Sequence, residues 1–267
     1  MEKSVLDKLI PSLKDIARDA GAETHRIAQG PVEADRKADG SPVTRADRAS
    51  HRIIVPALER LDPSLPIISE EGDLPEPGID AFPDQFWLVD PLDGTKEFLK
   101  KNGEYTINIA LIERGIPILG VIYAPALDGL YWAAAGMGAQ KQEAGEKPRR
   151  IMGSREGPFT AAISRSHASP EVESYLERLG VEEIVRCGSS IKLCAVAEGK
   201  ADIYPRFGPT CLWDTAAGAV IAREGGARVV DLQGEPLEYD PNAGLKHSGF
   251  IVYSRLYEDQ IVLPEMG

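Results

Sequence analysis

Two carboxylates stand three residues apart on a turn that follows an apolar stretch. The segment over residues 87–95 reads WLVDPLDGT, in which Pro91 and Gly94 restrict the turn around Asp90 and Asp93. A carboxylate at the end of a strand, a second one three residues later and a carbonyl between them can face one small space. Oxygen ligands of this kind suit hard divalent cations. The spacing therefore predicts a metal-binding turn.

Two other segments carry acids in similar settings. Glu70 and Glu71 follow an apolar stretch, and Asp214 opens a predicted helix. Two carboxylates about 4 Å apart repel each other by roughly 4 kcal/mol at an effective dielectric constant near 20. If Glu70 and Asp214 converge with Asp90 and Asp93, the group would protonate or separate unless cations lay between its members. No His or Cys stands in these segments to favour zinc, so Mg²⁺ is the expected ion.

Each acid also has an ordinary structural explanation. Asp93 before Gly94 could be only a turn residue, and Asp214 could be only a helix N-cap. Glu70 could be a surface acid beside Glu71. The metal site is favoured because all these settings occur in one chain.

The first half of the chain must supply most of these acids. Its pattern predicts an amphipathic helix over residues 5–20 and a second helix from Thr44, where Thr44 and Asp47 form a capping-box pattern. Pro11 and Pro56 interrupt the two patterns. Strands joined by hairpin turns follow, which indicates a largely antiparallel sheet. The predicted strands are residues 66–69, 86–90, 105–112, 117–123 and 130–134.

After the polar stretch 140–150, the pattern changes to alternating strands and helices, which is typical of an α/β fold. The predicted strands are residues 159–164, 183–186, 201–204, 228–231 and 249–254, and the predicted helices are residues 170–179, 190–198 and 214–224. We therefore expect an α+β subdomain over residues 1–140 with most metal ligands. An α/β subdomain over residues 141–267 would carry Asp214 and the substrate contacts.

Composition limits the class of partner. The 267 residues include 30 basic and 42 acidic side chains, a formal net charge of −12. This balance argues against binding polymeric nucleic acid or an anionic membrane surface, and favours a small-molecule substrate. No segment approaches the roughly 18 apolar residues of a membrane span, so we expect a cytoplasmic protein. Cys187, Cys194 and Cys211 show no zinc spacing and are interpreted as reduced core thiols.

The three acidic segments resemble the signature motifs of the inositol monophosphatase superfamily of Mg²⁺-dependent, lithium-sensitive phosphatases. The order and spacing of the motifs match over nearly the whole chain. The segments DGTKEF at 93–98, GSSIK at 188–192 and YPRFGPT at 204–210 further resemble the CysQ branch of that superfamily. Members of this branch are 3′(2′),5′-bisphosphate nucleotidases, which remove the 3′-phosphate of adenosine 3′,5′-bisphosphate (PAP) or of its sulfated form (PAPS). The resemblance implies a layered αβαβα sandwich.

The resemblance also implies a metal-ligand set. Glu70, Asp90 and the carbonyl of Leu92 would hold the first Mg²⁺ ion. Asp90 would bridge to a second ion held by Asp93 and Asp214. Such a pair can clamp a phosphate, lower the pKa of a bound water and stabilise the leaving oxygen.

Three further residues receive roles in catalysis from the resemblance. Thr95 would orient the attacking water and help to deprotonate it, backed by Asp47. Asp39 would assist a third, weaker ion. The capping box alone could explain Asp47, and a turn could explain Asp39.

Substrate contacts are expected in the second half. In the family, the positions that match Ser164 and His167 lie against the nucleoside, and those of Gly188 and Lys192 approach the sugar and the 5′-phosphate. Arg206 is a candidate phosphate contact. A solvated lysine and a structural histidine are the simpler alternatives.

Helix starts offer further contacts to phosphate. Gly94 and Thr95 precede a predicted helix and Asp214 opens another, so free N–H groups there could cradle phosphate oxygens. Tyr204 could pack in the core or lie near the base.

The leading hypothesis is a Mg²⁺-dependent nucleotidase that converts PAP to AMP, or PAPS to adenosine 5′-phosphosulfate (APS), with release of phosphate. It uses two to three Mg²⁺ ions, is inhibited by Li⁺, and is a monomer or a homodimer. An inositol monophosphatase or a sugar (bis)phosphatase is the alternative within the enzymes. A nucleotide-binding regulator without turnover is the alternative outside them.

Overall fold

The fold is described from a computed structural model over residues 1–37, 40–74, 82–153, 157–165 and 169–264. The helices are α1 (Lys3–Ala28), α2 (Arg45–Leu61), α3 (Thr95–Leu99), α4 (Pro170–Arg178), α5 (Ile191–Ala197) and α6 (Leu212–Glu224), and a 3-10 helix covers Arg255–Gln260. The strands in the first part of the chain are β1 (Ala34–Arg36), β2 (Pro42–Thr44), β3 (Ile67–Ser69), β4 (Gln85–Asp93), β5 (Thr106–Glu113), β6 (Ile116–Ala124), β7 (Gly129–Ala134), β8 (Gly138–Gln142) and β9 (Arg149–Ile151). Those in the second part are β10 (Thr160–Ser164), β11 (Glu183–Cys187), β12 (Ile203–Arg206), β13 (Thr210–Cys211), β14 (Ala227–Val230), β15 (Lys246–His247) and β16 (Phe250–Ser254). In these ranges, no helix combines the length and the apolar character that crossing a bilayer requires.

Strands β3 to β9 form a seven-stranded sheet in chain order. The pair β3 and β4 is parallel, and the remaining neighbours are antiparallel, as the sequence predicts. Successive side chains of a strand point to opposite faces. Trp87 and Val89 accordingly pack with helices α1 and α2, whereas Phe86 and Leu88 pack on the other face with α6. Both faces are covered, which explains the continuous apolar run of β4.

A second sheet has the strand order β11-β10-β12-β16-β14. Helices α5 and α6 lie between the two sheets, and α4 covers the outer face of the second sheet. The layers are therefore helices, sheet, helices, sheet and helix. The predicted αβαβα sandwich is confirmed.

Helix α6 is apolar on all sides because both sheets contact it. It approaches β6 so closely that a Cβ atom at Gly120 would lie 2.6 Å from the carbonyl oxygen of Ala217. This packing fixes the helix whose first turn carries Asp214.

Several local predictions are confirmed. Both predicted helices form, and Thr44 and Asp47 form the predicted capping box. The helices continue through Pro11 and Pro56, where the sequence pattern suggested an interruption. Arg114 and Gly115 have positive φ angles of 49° and 72° in the hairpin turn between β5 and β6. The free thiols of Cys187 and Cys194 are buried, and that of Cys211 is half-buried.

The sequence pattern predicts no strand in the polar stretch 140–150. In the structure, this stretch contains the end of β8 and the start of β9, both strands of the larger sheet. Lys141 can lie buried in β8 because its ammonium pairs with the buried carboxylate of Glu198 at 2.8 Å. The division into subdomains at residues 140 and 141 stays a proposal.

Candidate metal centre and substrate cavity

Three carboxylates converge where β4 ends and α6 begins. Asp90, Asp93 and Asp214 each offer one carboxylate oxygen, and these oxygens lie within 4.8 Å of one another. The register of β4 against β5 shifts between Asp90 and Asp93. A bulge of this kind redirects side chains. The pairing irregularity brings both acids to one side of the turn.

Each acid is also held by a neighbouring donor. The backbone N–H of Ser190 donates to Asp93 Oδ2 at 2.6 Å, and that of Leu92 donates to Asp90 Oδ1 at 3.0 Å. Asp214 Oδ2 accepts from the Thr210 hydroxyl at 2.7 Å and from a backbone N–H at 3.1 Å in the capping box of α6. A carboxylate can keep such bonds and still offer lone pairs to a cation. The cap and the metal-ligand explanations of Asp214 are therefore compatible.

Glu70 borders this cluster from the end of β3. Its backbone N–H donates to the carbonyl of Val89 in β4, and its Oε1 accepts from Lys37 Nζ at 2.7 Å. Lys37 also pairs with Glu71 at 2.5 Å. Burial opposes the charged form of Lys37, but the two carboxylates outweigh it and raise its pKa. Lys37 is a contact that the sequence analysis missed, because only the fold brings it to the end of β3.

The electrostatics match a site built for a cation. Burial raises the pKa of Asp93 to about 7, and the charge of Asp214 adds to the effect. Burial raises the pKa of Asp90 well above its ordinary value, as do the charges of Glu70, Asp93 and Asp214. Burial likewise raises the pKa of Asp214, against the bonds that it accepts. A hard divalent cation would relieve this repulsion, and the donors of the cluster are all oxygens, so the residues fit such an ion.

Asp47 serves two hydrogen-bond groups at once. Its Oδ2 accepts from the N–H of Thr44 at 2.8 Å and from the Thr44 hydroxyl at 2.6 Å, which completes the cap of α2. Its Oδ1 accepts from the Thr95 hydroxyl at 3.0 Å. The bond to Thr95 can therefore coexist with the capping box.

A cavity of about 290 Å³ opens beside the carboxylates. Its lining includes Asp93, Asp214 and, from the predicted substrate contacts, Gly94, Ser164, Gly188, Lys192 and Arg206. The Lys192 ammonium donates to the carbonyl of Ser189 at 2.6 Å and lies 5.3 Å from the ring centroid of Tyr204. The Arg206 guanidinium donates to the carbonyl of Pro209 at 2.8 Å. Cationic side chains and carboxylates therefore line one cavity. We call Lys192 and Arg206 the cationic wall.

The remaining predicted contributors to the site are Asp39, His167 and the carbonyl of Leu92. Asp39 and His167 lie outside the described residues. Leu92 lies within the irregular pairing after Asp90, where its N–H contacts Asp90. The metal role of its carbonyl stays a prediction.

Lys96 also lines the cavity, from the first turn of α3, and the sequence analysis did not assign it. The available signal was its place directly after Thr95, at the start of a helix that follows a metal-binding turn. Lys96 therefore shares the lining of one cavity with Asp93 and Gly94 of that turn.

The model of the inositol monophosphatase family matches residues 6–261. The chain belongs to the inositol monophosphatase family. As a member of this family, it resembles the 3′(2′),5′-bisphosphate nucleotidase CysQ of Escherichia coli K12, with 47% identity over 91% of this chain and 99% of that protein. The enzyme of the same description from Salmonella typhimurium is 48% identical over the same shares.

Solved structures agree with this family assignment. CysQ of Bacteroides thetaiotaomicron superposes with a TM-score of 0.79 at 40% identity, covering 93% of this chain and 97% of that one. An IMPase of Thermotoga maritima has a TM-score of 0.77 at 27% identity, covering 95% and 94% of the two chains.

Proposed function

We propose that this protein is a Mg²⁺-dependent 3′(2′),5′-bisphosphate nucleotidase. It would remove the 3′-phosphate of PAP to give AMP, and of PAPS to give APS. The observation that carries the proposal is one cavity lined both by the carboxylates Asp93 and Asp214 and by the cationic side chains of Lys192 and Arg206. Relatives with 47% identity over nearly their whole length carry the same activity in their names.

Asp90, Asp93 and Asp214, with Glu70 at the border, would hold the divalent ions. Bound ions would neutralise the phosphate, lower the pKa of a water and stabilise the leaving ester oxygen. The all-oxygen donor set favours Mg²⁺ over softer metals. Li⁺ should inhibit by occupying one of these positions. The number of ions, two or three, stays a prediction.

Thr95 would handle the proton of the attacking water. Its hydroxyl hydrogen is directed to Asp47 Oδ1, and a hydroxyl that donates can still accept a hydrogen bond from water through its oxygen. Asp47 is itself fixed by two bonds from Thr44, which holds this relay in place. The water would thereby be oriented for in-line attack on phosphorus.

Recognition of the second phosphate would fall to the cationic wall. Charge-assisted hydrogen bonds from ammonium and guanidinium groups suit phosphate oxygens. Lys96, Lys192 and Arg206 all line the cavity. A monophosphate would leave at least one of these cations without an anionic partner.

A substrate panel tests the proposal. PAP, 3′-AMP, inositol 1-phosphate and fructose 1,6-bisphosphate are assayed for phosphate release during a Mg²⁺ titration, with millimolar Li⁺ in a parallel series. We expect the highest kcat/KM with PAP, and inhibition by Li⁺. Preference for inositol 1-phosphate or fructose 1,6-bisphosphate would instead support the sugar-phosphatase alternatives. Tight binding of PAP without turnover would support the regulator. Cytoplasmic location and a monomeric or homodimeric state stay predictions.

A further inference from the structure

Glu104 joins two loops that belong to different parts of the fold. Its carboxylate accepts two hydrogen bonds from the guanidinium of Arg165, at 2.6 and 2.5 Å, and one from the backbone N–H of Gly188 at 2.9 Å. Arg165 also donates to the carbonyl of Arg186, in β11, at 2.7 Å. Bidentate pairs of this kind fix geometry as well as charge. We call Glu104 and Arg165 the clamp.

The backbone at Glu104 is packed against two glycines. A Cβ atom at Gly94 would lie 3.1 Å from the Glu104 carbonyl oxygen, and one at Gly188 would lie 2.9 Å from it. Gly94 also has a φ of 89°, which side chains rarely adopt. The segment at Glu104 therefore lies between the metal-binding turn and the loop that leads into α5.

A short series of contacts connects the clamp to the cavity. Glu104 holds Gly188, and the carbonyl of the next residue, Ser189, accepts from the Lys192 ammonium at 2.6 Å. Ser190 has anchors of its own, to Asp93 at 2.6 Å and to Asn108 at 2.8 Å. Ser189 keeps one longer bond, in which its hydroxyl oxygen accepts from the Thr106 hydroxyl at 3.3 Å. Loss of the clamp would therefore free the Gly188 N–H and loosen the Ser189 backbone, while leaving the bond to Asp93 in place.

We propose that Glu104 is a positioning residue for substrate specificity. Held by Arg165, it sets the place of Ser189 and through it the place of the Lys192 ammonium. Arg165 also neutralises a carboxylate that would otherwise repel an anion in the cavity. The choice of a bisphosphate as the substrate rests on the proposed function, whereas the mechanical link from Glu104 to Gly188 and Ser189 does not.

The kinetic test compares Glu104→Ala and Arg165→Ala with the wild-type enzyme on PAP and on 3′-AMP, which lacks the 5′-phosphate. One lost charge-assisted hydrogen bond corresponds to about tenfold in affinity. We expect KM for PAP to rise about tenfold with kcat nearly unchanged, and the constants for 3′-AMP to stay near the wild-type values. Equal losses on both substrates would mean a merely structural role and would overturn the proposal.

A double-mutant cycle tests whether the clamp acts through Lys192. In a Lys192→Ala background, Glu104→Ala should change KM for PAP by less than about twofold, because the two residues act in series. Additive effects would contradict the proposed route. Glu258→Ala is the control, since Glu258 pairs with Arg228, an arginine as exposed as Arg165, in a part of the fold away from the cavity lining. It should leave both substrates unaffected.

Amide hydrogen exchange tests the link without any substrate. In Glu104→Ala, the amide of Gly188 should exchange at least about tenfold faster than in the wild type, while the Ser190 amide, which donates to Asp93, stays protected. Unchanged exchange at Gly188 would refute the clamp, whatever the enzyme hydrolyses. Absence of PAP turnover by the wild-type protein would refute only the proposed function.

Discussion

The candidate metal centre, formed by Asp90, Asp93 and Asp214, and the cationic wall share one cavity but are built differently. We refer to the first region as the metal centre. Asp90, Asp93 and Asp214 are short side chains, and each accepts at least one hydrogen bond from the protein. Lys192 and Arg206 are long side chains, and their charged groups bond to backbone carbonyls. Short carboxylates have few rotamers, whereas lysine and arginine have more rotatable bonds and depend on the groups that hold their charged ends. The geometry of the first region is therefore set by short side chains, and that of the second by the backbone carbonyls that its cations bind.

This difference predicts that the metal centre carries out the reaction and that the cationic wall determines which substrates are preferred. Removal of a phosphate requires ligands held within a fraction of an ångström, and the metal centre has the supporting bonds for that. A second phosphate can be bound by cations whose places are set by neighbouring backbone carbonyls, as that of Lys192 is by Ser189. Substitutions in the metal centre should therefore affect all substrates alike, and substitutions in the cationic wall should affect substrates with a second phosphate.

The largest effect is expected for Asp93→Asn. The amide keeps the size of the side chain and removes its charge from the carboxylate cluster, so kcat on every phosphate ester should fall by roughly a thousandfold or more. The fall in kcat is measured from the rate of phosphate release at saturating Mg²⁺. Asp15→Asn, on the exposed face of α1, is the control and should remain fully active. Turnover by Asp93→Asn at the wild-type rate would mean that the carboxylate cluster is not the catalytic centre.

The two partners of Asp47 can be separated experimentally. Thr95→Ala removes the bond to Oδ1 and should lower kcat by roughly a hundredfold while the melting temperature changes little. Thr44→Ala removes the hydroxyl bond to Oδ2 and should lower stability by about 1 kcal/mol, with kcat largely preserved because the backbone N–H of residue 44 still holds Asp47. Thr95→Ser should restore most of the activity. If Thr95→Ala lost stability rather than kcat, Asp47 and Thr95 would be structural partners only.

The sequence predicted the metal centre more completely than the cationic wall, and the reason is physical. Asp90 and Asp93 share one turn, so their convergence depends on local spacing, and Asp214 opens a helix that could be identified from its apolar pattern. The strand positions of β4 to β7 follow from apolar runs of strand length and, between the later strands, from turn residues. Their layers follow once the apolar faces are paired.

Other contacts depend on tertiary structure that no local pattern encodes. Lys37 reaches Glu70 across 33 residues of sequence, and Glu104 meets Arg165 across 61. Strands β8 and β9 were missed because their polar residues are paired within the fold, as Lys141 is with Glu198. A polar stretch with its partners far away in sequence looks like a loop.

Lys192→Ala tests whether the cationic wall determines substrate preference. Loss of one charge-assisted contact to phosphate should lower kcat/KM for PAP by about 10- to 100-fold and leave that for 3′-AMP within about threefold. Lys8→Ala, an exposed lysine on α1, is the control. A parallel loss on both nucleotides would show that Lys192 supports the metal centre and that the two regions are not independent.

The smallest expected effect concerns stability without metal. Because burial and neighbouring charge raise the pKa of Asp93 to about 7 from an ordinary value near 3.8, the folded protein binds more protons than the unfolded chain between about pH 4 and pH 7. In a chelator, the free energy of unfolding should therefore receive a contribution from Asp93 that is lost as the pH rises through this window. Asp93→Asn removes that contribution, so the gap in melting temperature between variant and wild type should shift in favour of the variant from pH 4 to pH 8.

Saturating Mg²⁺ should reduce the pH dependence of stability in the wild type. An ion that binds only the folded state adds about 2.7 kcal/mol to the free energy of unfolding at a hundred times its Kd. Lys192→Ala should not reproduce the shift of Asp93→Asn, because it removes no carboxyl group from the cluster. If the wild type and Asp93→Asn had parallel pH profiles in the chelator, the carboxylates would not be under mutual repulsion. The contrast between a metal centre whose carboxylates repel one another and a cationic wall without such repulsion would then be wrong. Both regions could still serve the same reaction.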